Sequence, residues 1–316
     1  MSFKVEHTNI NDRDFVQLKN DAGFTATIVP SVGAMLHELI VPVNGERMNI
    51  IDSYPSREVS AEAASDWFKG VKLSPWPCRI PGGAYKFGNK SFKLQKLFRD
   101  GTALHGLLFD QPFQLVDEFA DEDHASVVLR NSYEAYDPGY PFEYECEVTF
   151  SLMGKKRLEV TTTLFNHSSE EIPIVDGWHP YFQLGGKVDD WDLQFAALTM
   201  LEFDRKLIPT GHFQPYNKFN DVKKIGKINL DNCFFLRIDE TKPVCVLRNP
   251  VNKVSVSFFT NPGYSYLQLF IPPHRNSIAI ENLSGAPNAF NNHMGLVKLQ
   301  PGNSRTFKLF YQVDVE

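Results

Sequence analysis

Cysteine is scarce in this chain, and its four residues lie far apart. They are Cys78, Cys146, Cys233 and Cys245, and no two of them form a Cys-x-x-Cys pair. Neither a disulfide scaffold nor a zinc site is therefore indicated. We expect four reduced and buried thiols.

Long apolar runs and an excess of positive charge are also missing. Residues 1–7 lack the apolar core of a signal peptide, and no stretch approaches the roughly 20 apolar residues that a membrane span needs. The net charge of −6 argues against a nucleic-acid surface, which usually carries a basic patch. We expect a cytoplasmic protein that binds neither membranes nor nucleic acid.

Three nucleotide-binding and hydrolase signatures are absent from the sequence. It contains no Gly-x-x-x-x-Gly-Lys-Ser/Thr loop, no Gly-x-Gly-x-x-Gly turn opening a helix and no Gly-x-Ser-x-Gly elbow. Nucleotide-dependent and serine-hydrolase chemistry therefore lose support. Helical patterning is scarce too, and residues 60–69 form the one stretch that we predict as a short helix.

Period-two alternation dominates what is present. Apolar residues alternate with polar ones over 144–152 and again over 158–164, and residues 153–157 between them predict a hairpin loop. Residues 254–258 and 307–315 show the same pattern. We predict an all-β protein of two large packed antiparallel sheets. With no linker or repeat visible in 316 residues, we expect one domain over 1–316.

The most informative segment runs from Gly177 to Leu184 and reads Gly-Trp-His-Pro-Tyr-Phe-Gln-Leu. It sets one titratable imidazole, His179, in an apolar and aromatic strip. Pro180 restricts the preceding residue to extended geometry, so His179 is predicted at a strand end or in a loop. The segment suits a catalytic acid or base, but it suits a structural core histidine as well.

A second unusual segment lies 102 residues further on, around Glu281. Ile278 and Ile280 share one face of a predicted strand, which puts Glu281 on the other face, where the strand gives way to a loop rich in Gly, Pro and Asn. A carboxylate at the mouth of a sheet is well placed to meet a polar ligand. A solvent-facing glutamate at a strand end is the alternative.

Two further candidates stand beside turns. His105 lies in apolar company before Gly106, which permits close approach of backbone, so it is either a functional group or a turn histidine bonded to backbone. Arg79 precedes a Pro-Gly-Gly turn. Its guanidinium could bind vicinal hydroxyls or a phosphate, or it could close a buried ion pair.

Two more polar residues occur in apolar strands. Asp231 precedes an apolar run, where an Asx-turn is the ordinary role of an aspartate. Gln268 lies in an aromatic strand and could be a core amide satisfied by its neighbours.

Taken together, these segments resemble the aldose 1-epimerase (galactose mutarotase) family, in the family's order over most of the chain. The matching stretches are Arg79 with the Ile-Pro-Gly-Gly that follows, His105-Gly106, Gly177 to Leu184, Asp231 ahead of Cys233-Phe234, and Glu281 with Pro287-Asn288-Ala289.

The resemblance implies a large antiparallel β-supersandwich and a cofactor-independent isomerase that interconverts the α and β anomers of a free hexose. It implies Glu281 as general base, His179 as general acid and His105 as a second donor to the ring oxygen. Arg79 and Asp231 would hold sugar hydroxyls, with Gln268 helping. We expect a sugar as the partner, no metal or other cofactor, and a monomer or homodimer.

Departures from galactose-acting members concern the sugar. Trp178, Pro180 and Gln183 differ from the residues those members often carry, which argues against galactose as the preferred substrate. We expect the sugar ring to contact Trp76, Trp178, Tyr181 and Phe182.

Other functions stay open at this point. A hexose 6-phosphate mutarotase would need cations near the pocket, for which Arg79 and Lys86 are weak candidates. A non-catalytic carbohydrate-binding β-sandwich also fits the pattern. A glycoside hydrolase fits less well, because it needs two carboxylates facing one bond and Glu281 is the clear one.

Overall fold

The computed structural model describes residues 1–315, and they form a strand-rich molecule with two short helices. In chain order the strands are β1 (Phe3–Ile10), β2 (Arg13–Asn20), β3 (Thr25–Val29), β4 (Met35–Val43), β5 (Glu46–Asn49), β6 (Lys72–Leu73), β7 (Arg79–Ile80), β8 (Ala84–Phe87), β9 (Lys90–Lys93), β10 (Ala103–Leu104), β11 (Gln114–Ala120), β12 (His124–Tyr133), β13 (Tyr144–Met153), β14 (Arg157–Asn166), β15 (Ile172–Ile174), β16 (Gly177–Trp178), β17 (Tyr181–Phe182), β18 (Asp192–Phe195), β19 (Ala197–Phe203), β20 (Pro209–Pro215), β21 (Lys223–Lys224), β22 (Asp231–Leu236), β23 (Cys245–Asn249), β24 (Val254–Thr260), β25 (Tyr266–Phe270), β26 (Ile278–Leu283), β27 (Val297–Leu299) and β28 (Ser304–Val315). The helices are α1 (Ala61–Trp67) and α2 (Ala289–Asn292), and 3-10 turns occur at Pro81–Gly83 and Val188–Asp190.

Three large antiparallel sheets dominate the topology. Strands β1 to β5 form a five-stranded meander. A nine-stranded sheet has the order β11-β12-β13-β14-β28-β24-β23-β18-β21, and an eight-stranded sheet has the order β20-β19-β22-β25-β26-β16-β6 with β17 also paired to β26. Strand pairs β7–β10, β8–β9 and β15–β27 are small two-stranded ribbons.

The predicted alternation of apolar and polar residues is confirmed in strands that have one face towards the core and one towards solvent. β13, β14 and β24 alternate residue by residue between buried and half-buried side chains. The hairpin predicted around 153–157 is the β13–β14 turn, and the predicted closing strand is β28. Alternation follows from the pleat, because successive side chains point to opposite faces.

The nine- and eight-stranded sheets pack face to face. The ring of Phe182 on β17 lies 4.8 Å from that of Phe258 on β24 and 5.4 Å from that of Tyr311 on β28. Phe150 on β13 meets Trp178 on β16 at 5.6 Å. These aromatic pairs fill the space between the two sheets, which is the main core.

The central strands of the eight-stranded sheet are buried on both faces. All six residues of β26 are buried, as are the first four of β25. One face of β26 carries Ile278 and Ile280 into the main core, and the other carries Leu283 into a second apolar cluster. A polar side chain on that second face is therefore enclosed, although it does not face the main core.

The helix predicted at 60–69 is confirmed as α1. The side chain of Ser60 caps it by accepting the backbone N–H of Ala63 at 3.0 Å. Phe68 ends it in a left-handed conformation. The single turn α2 was not predicted, because four residues carry too little periodicity to detect.

The predicted state of the thiols is confirmed: all four cysteines are free and buried. Within residues 1–315, no helix is both long and apolar enough to cross a membrane.

Candidate active site

All six site residues predicted from the sequence line one pocket of about 200 Å³ on the outer face of the eight-stranded sheet. They are Arg79, His105, His179, Asp231, Gln268 and Glu281. The other lining residues are Asp66, Trp67, Phe68, Cys78, Phe98, Leu104, Tyr181, Leu207 and Phe270.

Three neighbouring strands supply the floor of this pocket. Cys233 on β22 pairs with Gln268 on β25, which in turn pairs with Glu281 on β26. Asp231 lies two residues from Cys233 and so shares its face. The Gln268 Nε2 group donates to Asp231 Oδ1 at 3.0 Å. Sheet register thus brings together three polar groups that are up to 50 residues apart.

The position predicted for Glu281 at a strand end is wrong. β26 continues through Leu283 because Asn282 and Leu283 keep pairing with Leu267 and Tyr266. The Gly/Pro loop starts only after them, so Glu281 lies inside the strand with 2% of its surface exposed. The alternative of a solvent-facing glutamate is excluded with it.

His179 lies between β16 and β17, as predicted. Its backbone N–H donates to Val71 O at 3.2 Å and its C=O accepts from Gly70 N–H at 2.8 Å. The imidazole stacks on Tyr181 with centroids 5.1 Å apart, and Nε2 lies 3.4 Å from Glu281 Oε1. Burial lowers the pKa of His179 to about 3.

The Glu281 carboxyl has the opposite shift. Burial, reinforced by the charge of Asp231 and opposed by that of Arg79, raises its pKa well above the usual 4.5. Its Oε2 atom has no hydrogen-bond partner among the described residues. Between pH of about 3 and this raised pKa, the His179–Glu281 pair therefore carries one titratable proton and no net charge.

His105 is held in one tautomer by backbone. Its Nδ1 accepts the N–H of Cys78 at 3.2 Å, so in the neutral ring the proton sits on Nε2. Burial lowers the pKa of His105 well below 6.5, which keeps the ring neutral. The alternative prediction, a turn histidine bonded to backbone, is thus confirmed for Nδ1 of His105. Its Nε2–H remains available as a donor.

The close approach predicted at Gly106 is also present. This residue has φ of 83°, and a Cβ there would collide with the carbonyl oxygen of Ser74. The strand pair β7–β10 then places Arg79 opposite Leu104, next to His105.

Arg79 is half-buried and its ion pair is weak. Nε lies 3.4 Å from Asp100 Oδ2, and roughly a quarter of the side chain is exposed. The buried ion pair considered from the sequence is therefore not what the structure contains. Instead the positive charge faces the pocket, where it lowers the pKa values of Asp231 and Glu281 against the effect of burial.

The aromatic contacts expected from sequence are largely wrong. Tyr181 lines the pocket, but Trp76, Trp178 and Phe182 point into the main core. The aromatic walls that the sequence reading missed come from Trp67, Phe68, Phe98 and Phe270. An apolar run in the sequence does not reveal which of its side chains face a pocket. The one feature that could have indicated these aromatic walls is the Trp67-Phe68 pair at the end of the predicted helix.

One group of potential metal ligands lies in the pocket: ligand atoms of Cys78, His105 and Glu281 are within 4.8 Å of one another. The hydrogen bond from Cys78 N–H occupies Nδ1 of His105, and Nε2 carries the proton. The ring therefore presents an N–H and no lone pair, and a coordinating thiol must lose its proton although burial raises the pKa of Cys78 well above 9.0. This arrangement suits hydrogen-bond donation better than metal binding.

Comparison with known proteins decides the family. The family model described as aldose 1-epimerase matches residues 14–312. The chain belongs to the aldose 1-epimerase family. Membership supports an isomerase that acts on a sugar.

Relatives in the aldose 1-epimerase family are distant. The Escherichia coli K12 protein YihR, which is described as uncharacterized, is 27% identical over 249 residues that cover 77% of this chain and 78% of YihR. A Levilactobacillus brevis protein named maltose epimerase is 24% identical over 270 residues, covering 77% and 76% of the two chains.

Solved structures confirm the predicted fold. A galactose mutarotase-like protein from Clostridium acetobutylicum superposes with a TM-score of 0.87 at 20% identity, covering 100% and 99% of the two chains. Galactose 1-epimerase from Lactobacillus acidophilus gives 0.83 at 20% identity, covering 99% of each. The antiparallel β-supersandwich of this aldose 1-epimerase family member is thus of the galactose mutarotase type.

Proposed function

We propose that this protein is a mutarotase that interconverts the α and β anomers of a free, uncharged aldose. The observation that carries the proposal is the convergence of Glu281, His179 and His105 in one buried pocket. Their exposed surface is 2%, 5% and 7%, respectively. Proton-transfer groups held in this way can accelerate a reaction about 10² to 10⁴-fold each.

In this proposal two proton transfers open the ring. Glu281 removes the proton of the C1 hydroxyl while His179 protonates the ring oxygen, so the bond from C1 to the ring oxygen breaks and an aldehyde forms. Rotation about C1–C2 turns the other face of the carbonyl to the ring hydroxyl. Reclosure reverses both transfers, and the catalytic groups regain their starting protons.

The shifted pKa values make protonated Glu281 with neutral His179 the resting state, so a proton must pass from Glu281 to His179 before the ring opens. Ring opening starts from ionised Glu281 with protonated His179 and ends with both neutral, and burial favours the neutral pair. Arg79 favours ionised Glu281, which keeps the starting form accessible. His105 supports the ring oxygen as a neutral donor through Nε2, and it needs no protonation to do so.

The hydroxyl-binding groups in this proposal are Arg79, Asp231 and Gln268. Gln268 donates to Asp231 through Nε2, and its Oε1 is buried with no partner among the described residues. A buried amide oxygen without a donor favours a ligand that brings one, such as a sugar hydroxyl.

The charge of the pocket favours an uncharged sugar over a hexose 6-phosphate. Arg79 is the one permanent cation among its described lining residues, against the carboxyls of Asp66, Asp231 and Glu281. Lys86, the second cation considered from sequence, is exposed on β8 and outside the lining. With the pKa of Glu281 raised by burial, a phosphate would still meet the two carboxyls of Asp66 and Asp231 against the single cation of Arg79.

The test is polarimetry of freshly dissolved α-glucose, α-galactose and glucose 6-phosphate. We expect faster approach to equilibrium with the wild type, and a loss of about 10² to 10⁴-fold in Glu281→Gln and in His179→Asn. The exposed residues Glu240 and His167 provide the matched controls Glu240→Gln and His167→Asn, which should keep full activity.

Two outcomes would remove the proposal. One is a wild type that binds sugar in calorimetry without accelerating exchange, which would favour a carbohydrate-binding module. The other is undiminished exchange in Glu281→Gln. The name of the Levilactobacillus brevis relative supports including maltose among the sugars assayed.

A further inference from the structure

Asp100 lies just outside the pocket lining and is the residue that holds the side chain of Arg79. Its Oδ2 atom lies 3.4 Å from Arg79 Nε. This contact is the one hydrogen bond of the Arg79 side chain within residues 1–315. Asp100 does not itself line the pocket, and 46% of its side chain is exposed. The proposed reaction gives this residue no role.

A tight turn fixes the direction of the Asp100 carboxylate. Its Oδ1 atom accepts the backbone N–H of Thr102 at 3.0 Å and the hydroxyl of the same residue at 2.6 Å. Backbone closes the loop around it, because Phe98 N–H donates to Thr102 O at 2.7 Å and Gly101 N–H donates to Phe98 O at 2.9 Å. These bonds occupy Oδ1, so Oδ2 is the oxygen that is left for Arg79.

The turn is also tied to the strand that carries Arg79. Thr102 is buried and directly precedes β10, which pairs with β7 so that Leu104 lies opposite Arg79. Burial works against ionisation of Asp100, but the bonds from Thr102 and the charge of Arg79 outweigh it and lower the pKa of Asp100 below the usual 3.8. At neutral pH a negative charge of fixed direction therefore faces the guanidinium.

The contact at Nε matters because of the shape of a guanidinium. The group is planar and its N–H donors form a rigid fork, so fixing the direction of Nε–H also fixes that of the two terminal nitrogens. Those two nitrogens make no hydrogen bond to the described residues, although Arg79 lines the pocket. The distance of 3.4 Å is long for a hydrogen bond, so the contact orients Arg79 more than it binds it.

We propose that Asp100 is a positioning residue that aims the two terminal nitrogens of Arg79 into the pocket and thereby raises the affinity for the sugar. This inference rests on the proposed function for Arg79 as a hydroxyl-binding group. Without Asp100, a guanidinium on a flexible stem with about a quarter of its side chain exposed would spread over several rotamers. Ordering it would then oppose binding each time a sugar enters. Asp100 acts through Arg79 and contacts neither the sugar nor the reacting atoms.

A second turn of the same design provides a matched control away from the pocket. Asp239 Oδ1 accepts the backbone N–H of Thr241 at 3.1 Å and its hydroxyl at 2.6 Å, and Asp239 Oδ2 lies 3.6 Å from Lys242 Nζ. The Asp239 side chain is 47% exposed, against 46% for Asp100. The two turns thus differ in the cation that they hold, since Lys242 is exposed and does not line the pocket.

The experiment measures kcat and KM for anomer exchange of α-glucose and α-galactose. Asp100→Asn keeps an oxygen for Thr102 but removes the charge, and we expect KM to rise about two- to fivefold with kcat little changed, the pattern of weakened ground-state binding. Thr102→Val keeps the charge but loosens its direction, and it should raise KM as well. The controls Asp239→Asn and Thr241→Val should leave KM at its wild-type value.

A double-mutant cycle with Arg79→Gln shows whether Asp100 acts through Arg79. In that background Asp100→Asn should have no further effect on KM, because no guanidinium is left to position. An equal rise of KM in both backgrounds would overturn the proposal, and so would an unchanged KM in Asp100→Asn. Circular dichroism identifies any variant that has not folded, and Thr102→Val then carries the comparison.

Calorimetry with glucose and galactose separates this inference from the proposed function. If the wild type binds a sugar without exchanging it, the function fails, and a loss of affinity of about two- to fivefold in Asp100→Asn would still support the positioning role. If the wild type exchanges sugar and Asp100→Asn binds it as tightly, the positioning role fails and the function stands. A wild type that neither binds nor exchanges these sugars would overturn both.

Discussion

The two histidines of the pocket differ in what their ring nitrogens contact. Nδ1 of His105 accepts a backbone N–H, which settles its tautomer. Nδ1 of His179 has no hydrogen-bond partner in the described part of the chain, and Nε2 faces Glu281. His105 is thus a neutral donor with a fixed tautomer, whereas the protonation of His179 is coupled to that of the Glu281 carboxyl.

This coupling predicts the pH dependence of kcat/KM. Burial raises the pKa of Glu281 and lowers that of His179 to about 3, so the pair holds its one proton between these limits. Wild-type activity should be flat from pH 5 upward and fall as Glu281 loses the shared proton. The measurement is polarimetry from pH 5 to 10.

In the variant His179→Asn, kcat/KM should rise at alkaline pH, where the wild-type value falls. Without the imidazole, Glu281 alone must be ionised, so the residual activity should rise as pH passes its raised pKa. An alkaline limb that keeps its wild-type direction in His179→Asn would contradict the shared proton. Arg79, Asp231 and His105 also face the pair and stay unchanged in this comparison.

Glu281 should also lower the stability of the fold at neutral pH. Its folded pKa exceeds the ordinary 4.5, so its favourable contribution is complete below that pH and is lost as pH rises through the folded value. Glu281→Gln should therefore have a higher free energy of unfolding than the wild type at pH 7, by about 1.4 kcal/mol for each unit of the pKa shift that lies below the assay pH.

Denaturant unfolding of both proteins at pH 4 and pH 7 provides the check. The difference should shrink towards pH 4, and Glu240→Gln should show no such trend because Glu240 is exposed. A Glu281→Gln variant no more stable than the wild type at pH 7 would contradict the buried, protonated carboxyl.

At the scale of elements, a buried ion pair ties together the strands that carry the catalytic groups. Lys72 Nζ on β6 lies 2.5 Å from Asp176 Oδ1 and donates to Gly177 O at 3.1 Å, and neither charged side chain is exposed. Tyr264 donates to Asp176 Oδ2 at 2.5 Å. Backbone N–H of Asp176 donates to Ser284 Oγ, just beyond β26. The network joins the supports of His179 and Glu281.

Removing one partner of this pair should be costly. In Lys72→Met, Asp176 stays buried without its cation, and we expect a loss of about 3–5 kcal/mol in the free energy of unfolding. Lys72→Met with Asp176→Leu should recover much of this loss, since it leaves no unpaired charge. Chemical denaturation followed by circular dichroism measures both.

An exposed ion pair is the control for Lys72. Lys90 and Glu170 are paired at 2.7 Å with more than half of each side chain exposed. Lys90→Met should change the free energy of unfolding by about 0–1 kcal/mol. A Lys72→Met variant as mild as Lys90→Met would show that the buried pair does not hold these strands.

For the whole molecule, stability depends on the packing between the nine- and eight-stranded sheets. Adjacent phenylalanines on β24 separate this contribution from ordinary surface packing. Phe258 is fully buried against Phe182 of the opposite sheet, whereas Phe259 points outward and stacks on Phe310 at 4.4 Å. They differ in direction because strand side chains alternate.

Phe258→Ala should therefore lower the free energy of unfolding by about 3–5 kcal/mol. Phe259→Ala should cost markedly less, since its ring is only half-buried and stacks on Phe310 on the outer face of the sheet. Equilibrium denaturation of the two variants tests this, and equal losses would refute the assignment of the core to the space between the sheets.

The single domain expected over 1–316 stays a prediction.

Local patterns in the sequence determined the strands β13, β14, β24 and β28, the hairpin at 153–157, the helix α1 and the identity of the chemical groups. Pleating and capping act between near neighbours, so they can be read from a few residues. Tertiary structure alone decided that Glu281 lies inside β26, that His105 is a neutral Nε2 donor, and that Trp67 and Phe270, rather than Trp76 and Trp178, face the pocket. Burial and register depend on partners far along the chain, such as Gln268 for Glu281 and Cys78 for His105, and no local pattern encodes those distances.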